Sequence, residues 1–274
     1  MKDFVKNWIL PPKILTLVKK YISLYKLKKM DLDIIKKNKE LKDKYKGKRC
    51  FVLGNAPTIK DIDIKLLKDE YVFVMSTFYN HPDYAELKKS IFSSVHLTGS
   101  KIYEENLKWM KAISDNTKTT NIFFFDIQQK KMIEENNLFC NKRIYYIATG
   151  DFGRSYDISV PTAGYPTNII QSLEIALYLG FSEIYLHSVN LNTICNNGRY
   201  DYFFERDKMP YKDPEVHDNG LVENFFMNFK STYGAMKGIY EILQYAKKNG
   251  VKICYTNKES LLKFLEFKEF NEVV

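Results

Sequence analysis

The sequence predicts an α/β fold, a mostly parallel sheet with helices on both faces, a lid loop and a basic amphipathic helix near the start. Three observations predict it. Short apolar runs of strand length alternate with stretches of helical period, the pattern of βα units around a parallel sheet. The first such run, Cys50-Phe51-Val52-Leu53, is apolar throughout, as a strand buried on both faces must be. Finally, 274 residues with 45% hydrophobic and 27% charged content suffice for one domain with a full core.

Residues 1–46 read as an appendage to a domain spanning 47–274. Pro11-Pro12 starts a helix in which Ile14, Leu15, Leu17, Val18, Tyr21, Ile22, Leu24, Tyr25 and Leu27 alternate with Lys13, Lys19, Lys20, Lys26, Lys28 and Lys29. This basic amphipathic helix is expected to lie on an anionic membrane surface. The other reading packs it on the body or on a partner subunit. Gly47-Lys48-Arg49 ends the appendage, the first strand follows, and Gly54-Asn55-Ala56-Pro57-Thr58 is a loop. Ile59–Leu67 reads as a short helix or turn, and Tyr71–Met75 as a second strand ending in Ser76-Thr77. Ser90–Leu97 and Thr120–Phe125 are the third and fourth strands, with Lys101–Ile113 and Gln128–Asn136 as helices between and after them. Thr162–Leu179 is a helix closed by Gly180, Ile184–Leu186 a strand, Phe229–Lys248 a long helix, and Val251–Tyr255 the last strand. Residues 192–224 lack periodicity, and a loop that long reads as a lid over a site.

Charge is uneven. Residues 1–50 hold 16 Lys and Arg against 5 Asp and Glu, while the rest of the chain is nearly neutral. A nucleic-acid-binding protein spreads its basic residues over a folded face, so nucleic acid is not an expected partner. The four cysteines, Cys50, Cys140, Cys195 and Cys254, lack CxxC spacing, and free thiols suit a reducing, cytoplasmic setting. No window reaches the ~18 apolar residues of a membrane span. Phe4–Leu17 is too broken by Lys6, Asn7, Pro11, Pro12 and Lys13 for a signal peptide.

Ligands of open α/β sheets bind outside the carboxyl ends of the strands. That rule singles out Gly54–Thr58, Ser76–Tyr79, Pro161–Gly164 and His187–Asn192. Gly54 permits close backbone approach, Asn55 can bond a base or ribose, and Thr58 can cap a helix or meet a phosphate. The loop is neither GxGxxG nor a Walker loop. Thr162-Ala163-Gly164 offers an anion-tolerant corner or a plain cap. Asp61-Ile62-Asp63 has the look of a metal-binding DxD, but it follows a strand loop where carboxylates cap a helix start, so no metal is expected. His81 and His96 read as structural. His187 follows a strand, and His217, in the lid, is the better-placed general base. Tyr200, Tyr202, Phe203 and Phe204 crowd the lid, where a tyrosine hydroxyl can donate to a leaving phosphate without a metal.

Three of these segments together resemble the bacterial family-42 sialyltransferases and the related pterin-diphosphokinase-like proteins of polysaccharide loci. They are Arg49–Thr58 with Asp61-Ile62-Asp63, Thr162-Ala163-Gly164 with Ala176–Leu186, and Val251–Leu262. The likeness spans roughly residues 48–265. It implies a modified Rossmann-like domain, a CMP-linked sugar donor bound without a metal or other cofactor, and inversion at the anomeric carbon. Asn55 and its neighbours would hold the nucleotide, and Thr162, Ala163 and Gly164 would lie beside it. Tyr200 or Tyr202 would meet the phosphate, and His217 would act as general base. Ser76 stands where those enzymes carry Asn, Val160 and Pro161 where they carry Arg, Ala163 where they carry Ser, and Ser188-Val189-Asn190 where they carry Gly-Ile-Asp. These differences fall on the donor and acceptor pockets, so Ser76, Ser188 and Asn190 join the expected ligand set. The expected function is sugar transfer to a surface glycan or glycolipid from the inner face of the cytoplasmic membrane, with a homo-oligomer left open. The alternatives are Mg²⁺-dependent phosphoryl or diphosphoryl transfer, with Asp61, Asp63 and Asp151 as its only candidate ligands, and a non-catalytic assembly scaffold docked through residues 1–46.

Overall fold

The structure, a computed structural model, describes residues 14, 17, 18, 21, 22, 24, 25, 32–94, 103–120, 122–165, 167–192, 194–196, 201–205, 208 and 221–274, with the backbone alone over 221–227. Ten strands run in chain order. They are β1 (Arg49–Leu53), β2 (Tyr71–Met75), β3 (Lys89–Ser94), β4 (Ile122–Asp126), β5 (Arg143–Ile147), β6 (Thr149–Gly150), β7 (Thr162–Ala163), β8 (Glu183–His187), β9 (Lys252–Tyr255) and β10 (Glu266–Phe267). Eight form one sheet in the order β10-β9-β8-β1-β2-β3-β4-β5, every pairing parallel. The short β6 and β7 pair in parallel as a separate ribbon.

Helices cover both faces, and side-chain alternation along the strands divides the core between them. Phe51, Leu53, Val72, Val74, Phe123 and Phe125 pack on one face with Trp109 and Ile113 of α2 (Tyr103–Asn116) and Met132 and Ile133 of α3 (Lys130–Glu135). Cys50, Val52, Phe73, Phe124, Ile184 and Leu186 pack on the other with Ile170 and Leu173 of α4 (Asn168–Tyr178) and Ile239 and Ile242 of α5 (Leu221–Lys248). Each fully buried phenylalanine contributes about 1.5–3 kcal/mol, which is why the aromatic run of β4 can sit only at the sheet's centre of mass.

The expected elements differ from this fold at four points. The helix expected from Thr162 begins at Asn168, because Pro166 disfavours helix at the residue before it, and Thr162-Ala163 is instead β7. β5 is an additional strand. Val251–Tyr255 is not the last, since β10 follows. The loop expected to 224 gives way to α5 at Leu221. Gly180 does close α4: its φ is +77 to +90 territory at +86°, and a Cβ there would lie 2.9 Å from Asp43 Cα.

That contact also joins the body to part of the segment expected to stand apart. Residues 32–46, beginning with the short helix α1 (Asp33–Lys36), are packed in. Asn38, fully buried, donates to the carbonyls of Tyr146 and Ile158 at 2.8 and 2.7 Å. Asp43 and Tyr45 donate their backbone N–H groups to Tyr178 and Leu179 at the end of α4. The seven described positions between 14 and 25 are helical, and all are exposed apolar residues. No helix among the described residues is long and apolar enough to cross a membrane.

α5 is longer than the sheet is deep. A Cβ on Gly238 would strike Ile170 in the first turn of α4, so Gly238 lies level with the start of that helix. The residues before it, 221–237, continue for roughly 25 Å beyond that point at 1.5 Å per residue.

Candidate functional site

β1 is flanked by β2 on one side and β8 on the other, so the chain reverses its direction of travel across the sheet between β1 and β8. Open α/β sheets bind ligands at that switch point, outside the carboxyl ends. Leu53 and His187 end the two strands in register. Beyond them, Gly54 N donates to the His187 carbonyl at 2.9 Å and Ala56 N to the Ser188 carbonyl at 3.3 Å. A Cβ on residue 54 would fall 2.1 Å from the Ser188 carbonyl oxygen, so only glycine lets the two loops touch here.

A cleft of about 220 Å³ opens at this place. Gly54, Asn55 and Ala56 line it from β1, and Met75 and Ser76 from β2. Thr167, Asn168 and Ile169 come from the start of α4, Ser188 to Asn192 from the end of β8, and Asp201 and Tyr202 from the segment beyond. Ligand pockets run to roughly 300–1,000 Å³, so this cleft fits one part of a ligand. Three of its residues, Ser76, Ser188 and Leu191, hold φ between +52° and +58°. Left-handed backbone is unfavourable for non-glycine residues by about 1–2 kcal/mol each, and such strain gathers where a site's geometry is fixed in advance.

The back of the cleft is a buried polar network. His187 Nδ1 lies 2.8 Å from Thr256 Oγ1 and its Nε2 lies 3.1 Å from the Thr58 carbonyl. Burial lowers its pKa below the ordinary 6.5, outweighing the Thr58 carbonyl and Asp61. A neutral ring fits: Nε2–H donates to Thr58, and Nδ1 accepts from the Thr256 hydroxyl. Thr58 Oγ1 donates to Asn190 Oδ1 at 3.0 Å, and Ser188 Oγ donates to the Ala56 carbonyl at 2.6 Å. Asn257 accepts from Ser188 N at 3.1 Å and donates to Asn190 Oδ1 at 2.8 Å. The ends of β1, β8 and β9 are thereby locked together.

The front of the cleft is polar with atoms left over. Thr167 caps α4 in position but makes no side-chain cap bond, and its Oγ1 is buried without a partner. The first N–H groups of α4 therefore face the cleft's end with their partial positive charge uncompensated by a cap. Asn55 Oδ1 is likewise buried without a partner. Among the described lining residues there is no Lys or Arg, and Asp201 is the one carboxylate. Tyr202 stacks on Phe204 with ring centroids 5.3 Å apart, and Phe203 N donates to the Asn55 carbonyl at 3.0 Å, so this segment is tied to the β1 loop.

Of the residues expected at the site, the structure brings together Gly54, Asn55, Ala56, Ser76, Ser188, Asn190 and Tyr202. Thr58 stands behind them as a support. Pro57 opens a 3-10 turn, Pro57–Asp61, outside the cleft. Thr162, Ala163 and Gly164 do not line it. Thr162 Oγ1 instead accepts from Ser155 N and donates to the Ser155 carbonyl, closing the loop that carries β7. Asp63 caps the 3-10 turn Ile64–Leu67 by accepting from Lys65 N at 3.0 Å. His81 packs between Phe78 and Phe203, and Cys50 and Cys254 are buried free thiols. Tyr200, His217 and His96 lie outside the described residues. Sequence reasoning missed Thr167, Asn168, Leu191, Asn192 and Asp201; the signal for the first two was Pro166, after which Thr-Asn is a helix start.

Comparison of the chain with protein-family models finds no match, and comparison with curated protein sequences finds none either.

Proposed function

We propose that this chain is an inverting, metal-independent glycosyltransferase that takes a nucleotide-linked sugar, with CMP as the nucleotide, and transfers it to a bacterial surface glycan or glycolipid. The observation that carries the reading is the cleft at the switch point, with the uncapped start of α4 at one end and amide and hydroxyl groups elsewhere. A helix N-terminus offers about half a positive charge, which matches the single phosphoryl group of a monophosphate-linked donor. A diphosphate or triphosphate held through Mg²⁺ calls for paired carboxylates, and the described lining residues include one.

In this reading Asn55 and its neighbours hold the nucleoside, and the α4 N-terminus faces the phosphoryl group. Tyr202 meets the leaving phosphate from the side, its hydroxyl able to donate as charge develops there. His217, in the lid, takes the acceptor hydroxyl's proton. The enzyme acts peripherally on the inner face of the cytoplasmic membrane, held by the basic amphipathic helix.

Thermal stabilisation by CMP, CDP, UMP, UDP, GDP and ATP, each with and without Mg²⁺, tests this. A ligand at 100 times its Kd adds about 2.7 kcal/mol. The expected result is a shift with CMP that is indifferent to Mg²⁺. A shift only with ATP and Mg²⁺ would replace sugar transfer by phosphoryl transfer, and no shift with any nucleotide would leave the scaffold.

A further inference from the structure

We infer that Asn190 presents its amide nitrogen, and not its oxygen, to the ligand, and that this donor reads an anionic oxygen, the phosphoryl group of the reading above, on which the inference rests. Asn190 is 3% exposed and lines the cleft. Nothing in an asparagine's shape tells which end of its amide faces which way. The network behind it does.

The deduction starts from a group that cannot be turned round. The backbone N–H of Ser188 is a donor, and it meets the side chain of Asn257 at 3.1 Å, so the atom facing it is Asn257 Oδ1. Asn257 Nδ2 then points the other way, at Asn190, 2.8 Å off. Two amide nitrogens cannot face each other, so the Asn190 atom there is Oδ1. The Thr58 hydroxyl donates to that same oxygen. With its oxygen held from behind by two donors, Asn190 is left with Nδ2, which has no partner among the described residues. Its backbone carbonyl is also committed, accepting from Leu261 N at 2.9 Å.

A second donor set faces the same cleft. The uncapped start of α4, at Thr167 and Asn168, contributes backbone N–H groups and a favourable dipole. Donors from two separate elements, with no cation among the described lining residues, suit an oxygen-rich anion held by hydrogen bonds. Asn190 is a binding residue in this account. Asn257, which does not line the cleft, is a positioning residue.

The test is the ratio of CMP to cytidine affinity, by calorimetry on the full chain. Asn190→Asp puts oxygens on both ends of the side chain and a negative charge on the seat. CMP affinity is expected to fall by 100-fold or more with cytidine affinity unchanged, while Asn190→Ala loses about 10-fold. Asn257→Asp is the sharper variant. Its carboxylate still accepts from Ser188 N but can no longer donate, so the Asn190 amide turns round and offers its oxygen. The CMP-to-cytidine ratio should then collapse as in Asn190→Asp, with residue 190 untouched. Thermal melts of each variant report folding separately. A ratio unmoved by Asn190→Asp overturns the donor assignment, and one unmoved by Asn257→Asp alone overturns the positioning. If wild-type protein ignores every nucleotide yet is stabilised by inorganic phosphate, and Asn190→Asp is not, the nucleotide reading fails and the donor assignment stands.

Discussion

At the carboxyl end of β4, Asp126 is satisfied locally. One oxygen accepts from Gln128 N at 2.9 Å, the other from the Thr149 hydroxyl, and Gln129 returns a bond to Asp126 N to complete a capping box. At the carboxyl end of β8, Asn190 is held on one side and has an atom to spare on the other. The two residues occupy the same place in a parallel strand, one step past the last buried apolar residues. Phe123, Phe124 and Phe125 precede one in a sealed aromatic core. Left-handed serines and a forced glycine surround the other. The difference teaches that a strand end becomes a site when local groups leave a polar atom unanswered, and becomes an ordinary cap when they answer it.

The largest effect that sharpens this contrast belongs to the sealed side. Phe124→Ala should destabilise by about 3–5 kcal/mol, while the affinity of the folded fraction for CMP stays as in wild type; a change in that affinity would join the two regions. Gly54→Ala should destabilise by about 2–3 kcal/mol through overpacking against Ser188, lowering Tm by roughly 5–10 °C, and should abolish ligand stabilisation as well. Asp126→Ala removes a cap, with an expected loss of about 1–2 kcal/mol in chemical denaturation and no change in CMP binding.

Smaller still is a pH effect at the open side. Because burial holds the folded His187 pKa below 6.5, the unfolded chain takes up the proton first as pH falls. His187 thus favours folding less and less below about pH 6.5, and its contribution is constant above it. His187→Gln, whose amide can still donate to Thr58, should flatten the slope of stability between pH 7 and 5 in urea titrations; an unchanged slope would mean His187 does not remain neutral. His81, also lowered by burial, adds a similar slope from a different place. At the bottom of the scale, Gly164→Ala, with nothing within 4 Å of the added Cβ, should change stability by less than about 0.5 kcal/mol and leave CMP binding intact. A loss of binding there would return the Thr162–Gly164 corner to the site.

Much of this contrast was legible beforehand. β1, β2 and β8 are short apolar runs followed at once by Gly-Asn, Ser-Thr and Ser-Val-Asn, and the switch-point rule then names their ends. The α4 start was misplaced because Thr162-Ala163-Gly164 imitates a cap, and the helical period of Ile169 to Leu179 was carried back through Pro166. β5 was passed over because an edge strand with an exposed Arg143 carries less of the apolar run that marks a buried one. β10, two residues long, has no pattern to read. The orientation of Asn190 was beyond reach, since it depends on Asn257, 67 residues away, and on one backbone N–H. Strain at Leu191 had no signal either, for a bulky residue at positive φ is set by its surroundings and not by its own preference.

The contact of Gly54 with Ser188 has a mechanical consequence. Backbone touching backbone at the switch point leaves no slack for the two halves of the sheet to swing about that line, so the floor of the cleft is rigid. Closure around a ligand must come from elements outside the sheet: the stretch of α5 that overshoots Gly238, and the Asp201–Glu205 segment that hangs from Asn55 by one backbone bond. A spin label on Tyr233 should therefore move relative to one on the sheet when a ligand binds, while two labels placed across β1 and β8 keep their distance.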